Sequence, residues 1–318
     1  MDIAFIAPLE RALDRMKRIL FRPFEVETWI VLGFAAFLSA LGEGGGGWNA
    51  VLRRSIMRRE SEDLGEATGR VLELLRNPIW VVVIVLAVCI VLALVVLFLW
   101  ISSRAKFIFL DGVIHDRAAI VEPWKRFQRL GDSLFLWRLV FAAICIVLAL
   151  LLVLPLALVV LSAFRGGWLA ARVLALVGLG AVIVALVLAV LFVEMLLGNF
   201  VVPVMYRDDL AATAAWGRFV PLLGSHFIRF LLYGLFLFVL TLGVVVAIVV
   251  AGCATLCCGF ILLAIPYVGS VLVLPVSVTY RAYGPEFLAQ FGADWSVFPP
   301  PPSPEPVSPP LQEDGPVA

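Results

Sequence analysis

The residues of this sequence that could carry chemistry are a few charged side chains inside long apolar runs. Glu194 lies within one such run, and Asn199 follows it in the same run. A carboxylate in a bilayer must be protonated, paired with a cation or in contact with water. We therefore expect an ion pair of Glu194 with Arg104 or Arg138. The alternative is a carboxylate that lines a cavity and couples protons or cations.

Two arginines follow the starts of apolar runs. Arg138 and Arg229 each lie a few residues inside a run. An arginine near the end of a membrane span can extend its guanidinium outward to the lipid headgroups. We expect headgroup anchoring for both residues, and contact with a substrate is the alternative.

The sequence contains no motif for catalysis or for holding a cofactor. His115 and His226 have no partners at metal-ligand spacing, and the glycine run 42–49 lacks the Lys-Ser/Thr pair that holds nucleotide phosphates. Most cysteines lie in or beside apolar runs, where they usually pack as small hydrophobic residues, although the cluster at 253–258 leaves a metal or a disulfide open. We predict no catalytic, cofactor or metal site, and we expect that the protein is not an enzyme.

Composition indicates a membrane protein. The 318 residues are 63% hydrophobic and 15% charged, whereas soluble chains are about 45–50% apolar and about 25% charged. The apolar residues are gathered in runs long enough to cross roughly 30 Å of hydrocarbon. The net charge of +1 gives no reason to expect a nucleic-acid partner.

These runs predict an all-α fold, a polytopic bundle of about six transmembrane helices in a domain over 26–290. The predicted spans are 28–48, 79–102, 134–161, 173–205, 227–255 and 260–280. The first is short and ends in glycines, so a re-entrant segment is the alternative. A charged extramembrane helix is predicted over about 50–76. Gly243, Ala247 and Ala251 recur at helical spacing and predict a close helix contact.

The two ends of the chain differ from this domain. Residues 1–25 predict an amphipathic helix in the membrane interface, and they do not resemble a signal peptide. Residues 291–318 are rich in proline and predict a disordered tail, which could recruit a cytoplasmic protein.

An internal repeat organises the spans. The segment 113–127 aligns without gaps to 205–219, and 275–283 is a fainter third copy. The aligned aromatic residues are predicted interfacial anchors: Trp124 with Trp216, and Phe127 with Phe219. We infer three units, each an amphipathic entry helix followed by two spans. Two spans return the chain to the same face, so all three entry helices are expected on one side. The excess of Lys and Arg there predicts a cell inner membrane protein with both termini in the cytoplasm.

Two stretches resemble known families. The segment PWKRFQRLGDSLFLWRL (123–139) resembles proteins related to the membrane domain of glycerophosphodiester phosphodiesterases. The basic start, with Trp29 and the glycines 44–47, is similar to that of a family of unknown function, DUF7544. Both resemblances imply a multi-pass membrane protein. The catalytic barrel of the phosphodiesterases is missing from this sequence, so their activity is not implied.

Three functional hypotheses follow. We favour a non-catalytic membrane protein that organises lipid or partner proteins. The alternative is a small-solute or lipid transporter in which Glu194 is a coupling or binding residue. A membrane enzyme that acts on lipid headgroups is the third. A continuous polar cavity that reaches Glu194 would support transport, whereas a dry interior would support a scaffold.

Overall fold

A computed structural model describes residues 4–42, 76–162, 169–255 and 258–298. These residues are almost entirely helical and contain no strand, which confirms the predicted all-α class. The predicted extramembrane helix, the glycines 44–47 and most of the proline-rich tail lie outside the described residues.

Four helices are long and apolar enough to cross a membrane. They are α3 (Pro78–His115), α5 (Gln128–Ser162), α6 (Leu169–Leu196) and α9 (Phe227–Ala254). Each overlaps one of the predicted spans, so a helix long and apolar enough to cross a membrane is present in all four places. Helix α3 continues past its predicted end at residue 102 because the sequence after Ser102 remains largely apolar and buries Phe107, Ile108 and Leu110.

The first and last predicted spans are built from shorter helices. The first contains α2 (Val26–Ala40), whose 15 residues measure about 22 Å and are too short to cross alone. The last, predicted as a span over 260–280 that Pro266 and Pro275 interrupt, is divided into three helices: α10 (Cys258–Ala264), α11 (Pro266–Leu272) and α12 (Leu274–Leu288).

Two prolines cause these breaks. Proline cannot donate a backbone hydrogen bond, and it moves the preceding residue out of the helical region. Ile265, before Pro266, accordingly has ψ of 115°, and Pro275 lies in the first turn of α12. Helix α11 packs against α2, where the hydroxyl of Tyr267 donates to the carbonyl of Ile30 at 2.9 Å.

Helix α6 continues toward the next entry helix through a π-helical segment (Leu197–Val201) and α7 (Val202–Asp208). The short helices α4 (Val121–Arg126) and α8 (Ala212–Ser225) follow the ends of α3 and α7. Asp116 and Asp209 end α3 and α7 in the left-handed conformation, each with φ of 52°. An aspartate tolerates this conformation better than most residues.

Helix α1 (Ile6–Phe21) packs along α12. It buries Ala12, Ile19 and Leu20, whereas Ile6, at the start of the predicted apolar stripe, is exposed. The arginines of α1 explain this position. Arg11 and Arg15 lie 2.8 and 3.1 Å from the carboxylate of the buried Glu286 on α12.

The helices α1, α4 and α8 lie at one end of the bundle, which we call the entry end. Arg129, just after α4, forms an ion pair with Asp209, just before α8. Arg218 of α8 lies over the ring of Trp295, and Arg15 of α1 lies 3.6 Å from the ring centroid of Phe298. The segment that carries Trp295 and Phe298 therefore connects α8 to α1.

Residues 291–298 are folded, so the tail begins later than the predicted boundary at 291. Two 3₁₀ turns, Ala289–Phe291 and Ala293–Trp295, precede the buried Phe298. The aromatic residues of this segment pack against the core and hold it in place.

The core lies at the entry end, and the opposite halves of the long helices are apolar and exposed. Phe200, Phe219, Phe230, Tyr233 and Phe287 form a fully buried aromatic cluster. Outer-half residues of the spans are exposed Val, Leu and Ile, as expected of surfaces that contact lipid.

Two of the predicted interfacial anchors belong to the core instead. Phe127 and Phe219 are buried, because the entry helices pack against the bundle. Trp124 and Trp216 are half-buried, and Trp216 stacks on Trp137 with ring centroids 5.5 Å apart.

Candidate functional site

A cavity of about 650 Å³ lies between α2, α3, α5, α6, α9 and α12. We call it the central cavity. Its polar lining residues are Ser39, Lys106, Arg138, Glu194, Asn199, Ser277, Tyr280 and Arg281. The cavity therefore gathers charged groups from helices that are distant in the sequence.

Arg138 lies on the wall formed by α5, and its side chain is 4% exposed. Its Nη2 donates to the carbonyl of Gly42 at 3.1 Å and lies 4.0 Å from Oε2 of Glu194. Its Nη1 lies 3.4 Å from the hydroxyl of Ser102. The ion pair predicted between Glu194 and Arg138 is present, but only at the limit of an ion-pair distance. The anchoring role predicted for Arg138 is wrong, because its guanidinium faces this interior site.

Gly42 permits the contact between α2 and α3 at this wall. A Cβ on Gly42 would lie 2.7 Å from Cβ of Ser102, closer than real Cβ atoms approach other atoms. The absence of a side chain lets the Gly42 carbonyl reach Arg138. Nε of Arg138 is also buried, and it has no hydrogen-bond partner in the described part of the chain.

Arg281 enters the cavity from α12. Its Nη1 donates to the carbonyl of Gly198 at 3.2 Å, and its Nη2 donates to the carbonyl of Lys106. Gly198 lies in the π-helical segment, where the usual backbone hydrogen-bond pattern is interrupted. Such segments are common at functional sites. Both of these acceptors are neutral backbone carbonyls.

Asn199 lies in the same π-helical segment, and its amide donates to the carbonyl of Met195 at 2.9 Å. Gly284 of α12 lies against this segment, since a Cβ there would be 2.4 Å from the carbonyl oxygen of Asn199. The close approach of these two backbones brings Arg281 and Asn199 to the same cavity.

Lys106 completes the charged lining. It is 2% exposed and lies about two and a half turns before the end of α3. The cavity is therefore lined by three cations, Lys106, Arg138 and Arg281, and by one carboxylate among the described residues, Glu194. In a medium of low dielectric constant an anion in contact with Arg138 would be strongly attracted to its guanidinium.

Arg104 and Arg229 do not line the cavity. The buried guanidinium of Arg104 contacts both carboxylate oxygens of Asp132, at 2.8 and 2.9 Å, and it lies 4.2 Å from the ring centroid of Trp100. The predicted pair of Arg104 with Glu194 is therefore wrong. Arg229 lies half-buried in the first turn of α9.

Another carboxylate, Asp111, is fully buried and joins the ends of α3 and α7. It accepts hydrogen bonds from Tyr206 at 2.6 Å and from Arg117 at 2.9 Å, and Nδ1 of His115 lies 3.3 Å from its Oδ1. The hydrogen bond and the negative charge of Asp111 raise the pKa of Arg117. Because its partners surround it, we interpret this cluster as a clamp between helices.

The cysteines do not form a site in the described part of the chain. Cys89 and Cys253 are exposed on the apolar outer surface, and Cys145 is half-buried. The predicted burial is wrong for the two exposed residues, because they lie on helix faces that point outward. No group of three metal-ligating side chains occurs among the described residues.

Sequence reasoning missed Lys106 and Arg281 because both follow the ends of predicted spans, at 102 and 280. The available signal was the apolar sequence that continues after Lys106 and keeps it within a buried helix. The sequence gives no comparable signal that Arg281 is buried in the bundle, although the neighbouring Tyr280 also lines the cavity.

Comparison with known proteins gives one match. A family described as "Family of unknown function (DUF7544)" matches residues 4–293. No curated protein and no solved structure matches the chain. None of these comparisons supports the resemblance to the phosphodiesterase membrane domain.

Proposed function

The chain belongs to the DUF7544 family, whose function is unknown, and we propose that it is a membrane protein whose central cavity binds an anionic group. The observation that carries the proposal is Arg138, a buried guanidinium in the cavity lining. Its Nε has no hydrogen-bond partner among the described residues, and its Nη2 lies 4.0 Å from the carboxylate of Glu194. This proposal develops the transporter alternative, and it involves no chemical reaction.

Electrostatics supports an anion as the ligand. Two unit charges 4 Å apart attract each other by about 4 kcal/mol at an effective dielectric constant of 20. Arg138 and Arg281 also present guanidinium groups, which match the geometry of phosphate and carboxylate oxygens. An anion in contact with both would regain much of the free energy that it loses on leaving water.

Glu194 has a different role here from a cation-coupling carboxylate. Its side chain is 34% exposed and lies 4.0 Å from Arg138. We propose that Glu194 is an internal counter-anion, which the ligand replaces beside Arg138.

The scaffold hypothesis has less support than binding in the cavity. A scaffold requires only a packed interior, whereas this interior holds a polar cavity that reaches Glu194. Organisation of partner proteins stays a prediction, as does recruitment through the proline-rich tail. The cell inner membrane and the cytoplasmic termini likewise stay predictions.

The test is thermal unfolding of the full chain in detergent, with and without inorganic phosphate. We expect phosphate to raise the unfolding midpoint of the wild type, because a ligand that binds only the folded state stabilises it. Arg138→Gln removes the buried guanidinium from the cavity lining, so it should abolish most of this rise. Arg229→Gln, a charge removed outside the cavity, should preserve it. An equal rise in both variants would contradict the proposal.

A further inference from the structure

An ion pair joins the walls of the central cavity that α5 and α6 form. Nη2 of Arg138 lies 4.0 Å from Oε2 of Glu194, and both residues lie in helices long enough to cross the membrane. The Arg138 side chain is 4% exposed, whereas the Glu194 side chain is 34% exposed. Glu194 is therefore the more accessible member of the pair, and a proton reaches it from the cavity.

The guanidinium of Arg138 stays in place without this carboxylate. Its Nη2 donates to the carbonyl of Gly42 at 3.1 Å. Its Nη1 lies 3.4 Å from the hydroxyl oxygen of Ser102, and that hydroxyl donates to the carbonyl of Ser39 at 2.6 Å. These acceptors are neutral, and an arginine side chain keeps its proton in proteins. The charge of Arg138 is thus fixed, whereas the carboxylate beside it can change its charge.

The other charged and polar groups of the cavity lining have contacts of their own. Lys106 and Arg281 each interact with other groups, so neither charge is counted toward the ligand. The amide of Asn199 donates to a backbone carbonyl. The hydroxyl of Tyr280 is buried and has no hydrogen-bond partner in the part of the chain that the structure describes. The ion pair between α5 and α6 is therefore the charge contact that a ligand of this site would change.

An anion bound at Arg138 would take the place of the Glu194 carboxylate. A like charge nearby favours the neutral form of a carboxyl group. An ionised side chain without a partner is also unfavourable within a membrane span. Glu194 avoids both costs when one of its carboxylate oxygens takes up a proton from water.

We infer that anion binding in the central cavity is linked to the uptake of a proton by Glu194. This inference rests on the proposed function and adds the fate of the displaced carboxylate. In the free site Arg138 is paired with ionised Glu194. In the bound site Arg138 is paired with the anion, and Glu194 is a neutral acid. For a monovalent anion the net charge is the same in both states, so a carrier with this site would move anion and proton together without net transfer of charge.

The experiment measures phosphate binding to the full chain in detergent as a function of pH. Phosphate titrations of the unfolding midpoint give the dissociation constants of the wild type and of Glu194→Gln. Because lower pH neutralises Glu194 and releases Arg138, wild-type binding should strengthen relative to the variant as the pH falls. The ratio of the two constants cancels the ionisation of phosphate itself. It should be about ten at about pH 7 and should approach one at about pH 5.

Glu122→Gln is the matched control. Glu122 lies on α4, its side chain is 70% exposed, and it does not belong to the cavity lining. The same substitution there changes a carboxylate that the ligand does not displace. The dissociation constants of this variant should therefore match those of the wild type at every pH.

Inorganic sulfate tests the wild type without any variant. Sulfate has the tetrahedral shape of phosphate and keeps its charge over this pH range. Its dissociation constant should fall as the pH falls, by up to about tenfold for each pH unit, because each bound anion brings a proton with it. This measurement decides the matter if Glu194→Gln does not fold.

The outcomes separate the two levels of the proposal. If phosphate stabilises the protein but the wild type and Glu194→Gln differ by the same factor at every pH, no proton is taken up and this inference is wrong. Sulfate binding that does not change with pH would also overturn it. If Arg138→Gln and Arg229→Gln respond alike to phosphate, the proposed function itself fails.

Discussion

Arg138 lies 4.0 Å from Glu194, whereas Arg104, one helix away, lies 2.8 Å from Asp132. Both arginines are nearly buried, yet only Arg104 has a close carboxylate. The pair with the longer distance, Arg138 with Glu194, is the one that faces the central cavity. A guanidinium held mainly by neutral acceptors, with its carboxylate at the edge of contact distance, is prepared to accept another anion.

Replacement of this carboxylate should strengthen anion binding. Glu194→Gln removes the negative charge that competes for Arg138, so the dissociation constant for inorganic phosphate should fall about tenfold, equivalent to about 1.4 kcal/mol. Phosphate titrations of the unfolding midpoint measure this change. Weaker phosphate binding in Glu194→Gln would show that Glu194 helps to hold the ligand.

The pair at Arg104 is expected to be structural. Asp132→Asn leaves the buried guanidinium of Arg104 without its charged partner, and because half of the Asp132 side chain is exposed we expect a loss of about 2 kcal/mol in stability. Phosphate should still stabilise this variant as it does the wild type. A loss of the phosphate effect would extend the site to Arg104.

The close approach of α12 to the π-helical segment requires glycine. In Gly284→Ala the new Cβ would meet the Asn199 carbonyl oxygen at 2.4 Å, and because that atom is backbone, the helices must separate. We expect a loss of about 1–3 kcal/mol, the usual cost of overpacking. Thermal unfolding measures it.

Gly243→Ala is the control for that change. No atom lies within 4 Å of a Cβ there, so the predicted close helix contact at Gly243 is absent in the described chain. Because alanine favours helix more than glycine does, this variant should be as stable as the wild type or more stable. Equal destabilisation of Gly284→Ala and Gly243→Ala would show that contact of the new Cβ with the Asn199 carbonyl is not the cause.

Removal of tyrosine hydroxyls tests how much the hydrogen bond to Asp111 contributes to stability. Tyr206→Phe removes a hydrogen bond to a buried carboxylate and should cost about 1.5–3 kcal/mol, whereas Tyr267→Phe removes one to a neutral carbonyl and should cost about 0.5–1.5 kcal/mol. Chemical or thermal unfolding of both variants gives the comparison. Equal costs would show that the charge on Asp111 adds nothing.

The common side of the entry helices can be tested by labelling. In a cysteine-free chain, Asp14→Cys on α1 and Glu122→Cys on α4 replace side chains that are 71% and 70% exposed. A maleimide that cannot cross membranes should label both in inverted membrane vesicles and neither in intact cells. Labelling from opposite sides would exclude the three-unit arrangement.

The sequence alone determined the class of the fold and its four longest helices. A run such as 79–102 has no charge, and its length matches the hydrocarbon thickness, so local composition is sufficient to predict it. The sequence also predicted that Glu194 pairs with Arg104 or Arg138, because an ionised side chain in an apolar run needs a partner.

Only the tertiary structure decided which charges share a site. Lys106, Arg138 and Arg281 come from three helices far apart in the sequence, and hydropathy gives no information on which helix faces meet. Helix packing brings them together because Gly42 and Gly284 permit close backbone approach and because Pro266 and Pro275 break the last apolar run. Distances of a few ångströms between distant segments depend on these contacts, and no local pattern encodes them.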